Sequence, residues 1–389
     1  KSRQVAVADE FSFSTQLLDD KINNAKQQRV FSVIRTSNTT GYYFDLFRSK
    51  SLGTNDFHDY VYHNVGDGVT IKDENNTPLS LTPKPNRYTS IPSVYRNKTI
   101  RFPGWHYFED VKTSNVTKLG VKASISMTKQ GTRYTHILMP KGENREYTAC
   151  KGPATIEAQM GYKDVKTPIL TVRHIGEAWN KPFIAVFEPS RNENGAVKSV
   201  ENLYQGNKIV GAKVVSDVNG TIITDYIISN DNNSDTFESA ELGVNFTGRF
   251  AIVRTKKETG KQTMDVTMYI GKGQKLTYLE DILDADTDGK AYSQSFNRPL
   301  STRDNNAIVN NIFAYPNPTL GAFEINVPSQ LNKVFTEVYD IKGQLITSSI
   351  QTTDNAKIRL DISDYAKGVY LVKAFSKENK TFHSKLIIK

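Results

Sequence analysis

His58 and His63 lie five residues apart in His58-Asp59-Tyr60-Val61-Tyr62-His63. Two imidazoles held close together suit a zinc ion, but side chains alternate along a strand. An odd spacing therefore sends these two to opposite faces unless a bulge intervenes. Arg173 and His174 are adjacent and diverge for the same reason, so at most one of them serves a shared cleft; Arg173 is expected in a structural pair with a carboxylate. Arg101, Trp105 and His106 surround Pro103-Gly104 in a predicted loop. An aromatic ring beside cations can hold a sugar ring and its carboxylate, by stacking and charge-assisted hydrogen bonds. The alternative is that Trp105 caps the edge of a core. Asp284, Asp286 and Asp288 have the carboxylate spacing that opens a Ca2+ loop, but position twelve is Ser295 rather than a bidentate Glu, which excludes an EF-hand. A looser Ca2+ site in a linker and a solvated acidic turn are the two readings left, and no other cofactor is implied. Cys150 is the single cysteine, so no internal disulfide forms. With no adjacent His or Asn pattern it reads as a small buried side chain.

The elements that would position these residues are strands. Aromatic and β-branched residues are plentiful, Gly and Pro punctuate at short intervals, and no long helical heptads occur, which indicates an all-β chain. In Val121–Thr128, Val121, Ala123, Ile125 and Met127 alternate with Lys122, Ser124, Ser126 and Thr128, giving one buried and one wet face. Residues 1–29 are a polar segment in which Leu17, Leu18, Ile22 and Ala25 have roughly helical spacing. From Val30, predicted strands recur with turns between them, including Tyr42–Arg48, Asp59–His63, Ile169–Ile175, Pro182–Glu188 and Thr221–Ser229. They predict one large antiparallel β-sandwich over 30–283. A Pro-rich stretch from Lys72 to Arg101 interrupts it as a long loop. Apolar periodicity lapses over 284–311, read as a linker, and resumes over 312–389 as a small Ig-like β-sandwich.

The formal charge of +9 suits an acidic partner: an anionic polysaccharide, lipopolysaccharide or nucleic acid. Lys and Arg are scattered rather than clustered, which argues against nucleic acid. No apolar run approaches the ~18–20 residues that span a bilayer. The chain opens Lys1-Ser2-Arg3-Gln4 without an apolar leader, so a signal peptide is expected to be removed already or to belong to sequence upstream.

The last residues read Ala314-Tyr315-Pro316-Asn317-Pro318-Thr319-Leu320-Gly321, then Tyr339-Asp340-Ile341-Lys342-Gly343, then Lys367-Gly368-Val369-Tyr370-Leu371-Val372, and end on Lys385-Leu386-Ile387-Ile388-Lys389. That order resembles the type A C-terminal sorting domain of the type IX secretion system of Bacteroidota. The resemblance marks Pro316, Asn317, Pro318, Gly321, Gly343, Gly368 and Tyr370 as the sorting motif. It implies recognition by the type IX machinery, export through the outer membrane, and either release or anchoring to surface lipopolysaccharide.

Tyr42-Tyr43-Phe44-Asp45-Leu46-Phe47-Arg48, His58-Asp59-Tyr60-Val61-Tyr62-His63-Asn64, Leu170-Thr171-Val172-Arg173-His174 and Pro182-Phe183-Ile184-Ala185-Val186-Phe187-Glu188-Pro189 are similar to the C-terminal β-sandwich of heparinase II/III-like polysaccharide lyases. The resemblance implies β-elimination on an acidic, uronate-containing glycan. That chemistry needs a group to neutralise the uronate carboxylate, a base for the C5 proton and an acid for the leaving oxygen. The family takes most of these from an N-terminal helical toroid, and one His, near a metal site with a His-x-His pattern, from the earliest strands of the sandwich. This chain has no toroid pattern and no His-x-His among His58, His63, His106, His136, His174 and His383. No catalytic residue is therefore expected within it. His58, Asp59 and Tyr60 match the family's His-Asp-Tyr segment and are expected to brace the sandwich against the toroid; Arg101, Trp105, His106 and His174 are further candidates for substrate or domain contact. A non-catalytic glycan-binding or adhesive sandwich is the competing expectation.

Overall fold

The computed structural model describes residues 3–20, 24–54, 57–88, 105–129, 131–155, 158, 161–299, 314–326, 333–352, 357–375 and 381–389. They form two compact units, Lys1–Arg298 and Pro299–Lys389. The elements are antiparallel strands, with one 3-10 turn at Trp105–Tyr107.

Three sheets build the first unit. The first sheet has eight strands in the order Arg3–Val7, Ser12–Asp20, Ala25–Arg35, Gly41–Ser51, Ala178–Ser190, Arg133–Met139, Val121–Met127 and Gly68–Asp73. The second has five, in the order Phe57–His63, Lys166–Ile175, Arg145–Ala154, Glu109–Ser114 and Leu81–Pro83. The third runs from Val197–Gln205 through Lys208–Val218, Thr221–Ser229, Val244–Glu258 and Thr263–Tyr278 to Asp281–Asp284. Thr236–Ser239 and Ala291–Pro299 pair at its flanks.

The first sheet is the middle layer, because its strands bury both faces. In Ala178–Ser190, Ile184 and Val186 join Phe44, Leu46, Val214, Ile227, Phe250 and Ile252 in a core against the third sheet. The intervening Phe183, Ala185 and Phe187 join Ile137, Tyr60, Tyr147, Leu170 and Val172 in a second core against the second sheet. An uninterrupted apolar run is what burial on both faces requires. The antiparallel sandwich expected over 30–283 is thus three layers deep.

A buried polar network ties the first sheet to the third. Tyr42 Oη donates to Asp225 Oδ2 at 2.5 Å, and Arg254 donates to both Asp225 oxygens at 2.6 and 2.8 Å. Arg254 Nη1 also donates to the Arg35 carbonyl at 2.5 Å, and the guanidinium sits 4.6 Å from the Phe11 ring centroid. Each charge is matched, which a buried ion needs if it is to remain ionised.

Of the helical spacing Leu17, Leu18, Ile22 and Ala25, Ile22 lies outside the described residues, and the other three stand in the strands Ser12–Asp20 and Ala25–Arg35. Phe11, Phe13 and Thr15 are buried while Ser12 and Ser14 face outward, a period of two that outweighs the helical pattern. The stretch expected as a linker carries the strand Ala291–Pro299, paired with Thr263–Tyr278. Within the Pro-rich stretch, Leu81–Pro83 is an edge strand, a place where Pro is tolerated; its remainder from residue 89 lies outside the described residues.

The second unit packs the strands Ala314–Tyr315, Ala322–Asn326 and Lys357–Asp361 in one sheet, and Leu345–Thr352, Lys333–Asp340, Gly368–Phe375 and Thr381–Ile388 in another. Phe323, Ile325, Val338, Ile358, Val372 and Leu386 lie in the core between them. The sorting-motif residues shape its corners. The peptide bonds before Pro316 and Pro318 are cis, and Asn317 Oδ1 accepts the Ile387 amide at 2.9 Å. Gly321 has φ +132, and a Cβ there would sit 2.3 Å from Ser363 Cα, so only glycine fits. Gly343 closes the turn after Asp340, whose Oδ1 accepts the Lys342 and Gln344 amides. Tyr370 is buried and donates to the Ala366 carbonyl at 2.6 Å. Gly368 starts the strand that carries Tyr370, and a Cβ there would sit 4.0 Å from the Tyr370 ring.

Candidate functional site

The edge strand Phe57–His63 lies on Lys166–Ile175 in a register that sets His174 opposite His58, Arg173 opposite Asp59 and Val172 opposite Tyr60. Residues directly opposite share a face, so this register sorts the candidates into an inner and an outer row. His58 and Tyr60 take the inner row with His174, and Asp59 and His63 take the outer row with Arg173. His58 and His63 therefore diverge.

In the inner row, His174 is buried, and its Nε2 bonds the Glu177 carbonyl at 3.0 Å, which makes Nε2 the protonated nitrogen. Burial first, and then Arg145 directly opposite on the next strand, pushes the imidazole down to about 4. Burial also lowers His58. Tyr60 Oη donates to Asp45 Oδ2 at 2.5 Å, beside Arg29, which binds the same carboxylate at 2.9 Å. Burial and then the Asp45 charge raise the Tyr60 phenol well above its ordinary value. A base for the C5 proton must reach the sugar and give up its own proton readily. Tyr60 is buried and holds its proton tightly, and His174, though unprotonated, is buried out of reach of a sugar; both order the junction between the first two sheets.

In the outer row, Arg173 donates from Nε and Nη2 to Asp59 at 2.8 and 2.7 Å, and its guanidinium lies 3.7 Å from the Phe57 ring centroid. The neighbouring Glu146 pairs with Arg87 at 2.5 Å. Beyond them Trp105 packs against Tyr88 and Phe108 with ring centroids at 4.9 and 5.4 Å, beside a core of Val111, Cys150 and Ile169. This placement is the core-capping alternative for Trp105. Burial pushes the Cys150 thiol up to about 12, which leaves it without a reactive thiolate. Arg101 lies outside the described residues, as does the side chain of His106.

Where the second sheet stops short of the first, a groove of about 350 Å³ is lined by Arg29, Phe31, Tyr43, Tyr62, Asn64 and Phe187, among others. Phe31 and Tyr43 stack at 5.7 Å and each is 37% exposed; Tyr62 leans on Phe187 at 4.8 Å. An exposed aromatic floor beside a guanidinium and an amide can seat a pyranose ring and its polar edge. Tyr43, Tyr62, Asn64 and Phe187 come from three of the segments that carried the lyase resemblance. Arg29, Asp45 and Phe31 were not singled out in the sequence; their only signal is the alternation of Arg29, Phe31 and Val33 as large residues on an outward face.

The acidic loop does not gather its carboxylates. Asp284 ends a strand, Asp286 Oδ1 accepts the Lys290 amide at 2.9 Å, and Asp288 offers its carbonyl to Lys272 at 2.7 Å. Among the described residues no group of three His, Cys, Asp or Glu side chains is placed to hold a metal ion. Asp284, Asp286 and Asp288 do not fit the Ca2+ site that their spacing suggested.

A layered β body and a separate small sandwich built on the sorting motif define an exported all-β protein. Residues 197–295, the third sheet, match the endo-acting ulvan lyase C-terminal domain, and residues 313–389 match the secretion system C-terminal sorting domain. The chain is thus addressed for secretion by the type IX route, and its third sheet is similar to the C-terminal domain of endo-acting ulvan lyases. An endo-acting ulvan lyase of Formosa agariphila is 43% identical over 286 residues, covering 74% of this chain and 34% of that protein. A second endo-acting ulvan lyase of that organism is 32% identical over 90 residues, 23% of this chain and 17% of that protein. This chain therefore spans about a third of the length of the first relative and about a sixth of the second.

Proposed function

We propose that this chain is the C-terminal portion of a secreted polysaccharide lyase that cleaves ulvan or a related uronate-containing glycan. Its layered sheets hold the acidic chain, while the acid and base of β-elimination come from residues outside these positions. The observation that carries this reading is the 43% identity over 286 residues to an endo-acting ulvan lyase. The aromatic groove at Phe31, Tyr43 and Tyr62 supports a glycan-facing role, as does the charge of +9. The finer kinship with heparinase II/III-like lyases rests on the quoted segments, which here form adjoining strands. In that kinship the outer row with Asp59, Arg173 and Trp105, beside the exposed Phe57 and Ile175, is where a preceding domain rests. Residues 312–389 are the separable tag read by the type IX machinery, which leaves the protein released or held at surface lipopolysaccharide.

The alternative is a surface adhesin that binds glycan without cleaving it, favoured by the engagement of Tyr60 and His174 in structural bonds. Affinity electrophoresis of the chain through ulvan, with and without the segment encoded upstream, separates the two. The expected result is retardation by ulvan in both forms and release of ultraviolet-absorbing unsaturated uronate by the longer form alone. A longer form that binds but releases no such product from any uronate glycan supports the adhesin. A chain that neither ulvan nor any other glycan retards overturns both readings.

A further inference from the structure

We infer that Trp179, Lys26 and Lys50 form a second carbohydrate subsite, one that holds a negatively charged sugar, at the seam between the first sheet and the third. The Lys26 and Lys50 ammonium groups lie 5.1 and 5.0 Å from the Trp179 ring centroid. The two lysines stand directly opposite each other on Ala25–Arg35 and Gly41–Ser51, so they share a face. Like charges in that position repel, and the fold gains nothing from them by themselves. Neither forms an ion pair with a carboxylate among the described residues, although Asp19 lies opposite Lys26 on the next strand.

The indole is fixed before any ligand arrives. Its Nε1 donates to Asp231 Oδ2 at 3.0 Å, and its backbone amide donates to Glu177 Oε2 at 2.7 Å. The Asp231 turn is itself pinned to the first sheet, since its carbonyl accepts from Gln28 and the Ser229 carbonyl accepts from Arg48 at 2.6 Å. The nearby carboxylates are already engaged. Glu177 caps the Trp179 and Asn180 amides. Asp231 holds the indole, and although burial pushes it up, bonds from Asp235 and Trp179 and the charge of Arg48 bring it down to about 2. Among the described residues neither ammonium group is bonded to a carboxylate, and both face a half-buried, rigid aromatic ring. A carboxylate or sulfate on a sugar would relieve their repulsion while the ring contacts the sugar's apolar face. A cavity of about 420 Å³ beside the ring, reached by Asn180, Asn207 and Lys208, gives the neighbouring sugar room and polar partners. Ulvan as the natural ligand rests on the function proposed above; the anionic sugar class rests on this geometry alone.

The chain contains two tryptophans, so Trp105→Phe in the full chain leaves Trp179 as the single fluorescent reporter. Titration with polygalacturonate supplies carboxylates, dextran sulfate supplies sulfate esters, and neutral dextran supplies neither. The expected result is a saturable change in emission with at least one acidic polymer and none with neutral dextran. Lys26→Gln with Lys50→Gln should weaken it about tenfold, as loss of two charge-assisted contacts implies, at unchanged circular dichroism and Tm. An equal response in the double variant, or no response to either acidic polymer, overturns the subsite. Response to those polymers but not to ulvan leaves the subsite standing and removes the ulvan reading. Ulvan retention that survives both the double variant and Trp179→Ala removes the subsite and leaves that reading intact.

Discussion

His174 shows how a residue marked for chemistry becomes a sensor of the fold's own stability. Its folded value near 4 lies below the ordinary 6.5, so the unfolded chain takes up the proton first as pH falls. Its contribution is fully present above about 6.5 and is lost progressively as pH drops to 4. The loss amounts to roughly 3 kcal/mol from this group. Thermal melts between pH 7 and pH 4 should show Tm falling, and His174→Gln should flatten that fall; an equal slope in the variant would contradict the assignment. Asp45 is a second test at this scale. Its fully buried carboxylate serves Tyr60 and Arg29, so Asp45→Ala leaves a buried phenolic O–H without its acceptor. Arg29 is 55% exposed in its side chain and can rehydrate, so the expected loss is about 2 kcal/mol in urea unfolding rather than the larger cost of a closed pair. The sequence marked Arg173 as half of a carboxylate pair, but the partner, Asp59, lies 114 residues away and only the register supplies it.

Among the elements, the strand Ala178–Ser190 was expected in the sandwich, but its place between two cores was not read from the sequence. Its unbroken Phe183–Phe187 run is what burial on both faces requires, and the structure places a sheet against each. The strand Ser12–Asp20 was less legible, because Leu17 and Leu18 near its end imitate helical spacing while Phe13 and Thr15 decide the outcome by burial. The contact between the first and third sheets is locked by Asp225 and Arg254, both with fully buried side chains. Asp225→Ala strips the acceptor from Arg254 and Tyr42 together, and breaking such a pair costs about 4 kcal/mol. Urea unfolding should show that loss with far-UV circular dichroism still reporting strands at zero denaturant. A change under about 1 kcal/mol would mean that water replaces the network without penalty.

For the whole molecule, the excess of nine positive charges would make the proposed binding of ulvan electrostatic in part. Retardation by ulvan should therefore weaken as ionic strength rises past about 0.15 M, where screening acts within about 8 Å. Binding that is indifferent to salt would place the contact in the aromatic groove alone. The second unit has its own core, from Phe323 to Ile388, so removing residues 299–389 should leave the Tm, the pH response and the emission of Trp179 in the first unit unchanged. A fall of several degrees on truncation would show that the two units share stabilising contacts.

Local pattern determined that this chain is built of antiparallel strands and that its end is a sorting tail. Each of these is written in neighbouring residues, through a side-chain period of two and through turn residues such as Pro316, Gly321 and Gly343. The tertiary structure decided which polar side chains meet: His58 with His174, Asp225 with Tyr42 and Arg254, and Lys26 with Lys50 beside Trp179. Alternation tells a residue which face it occupies. Its partner on that face is set by the register between segments far apart in the chain, and by which sheet lies on top.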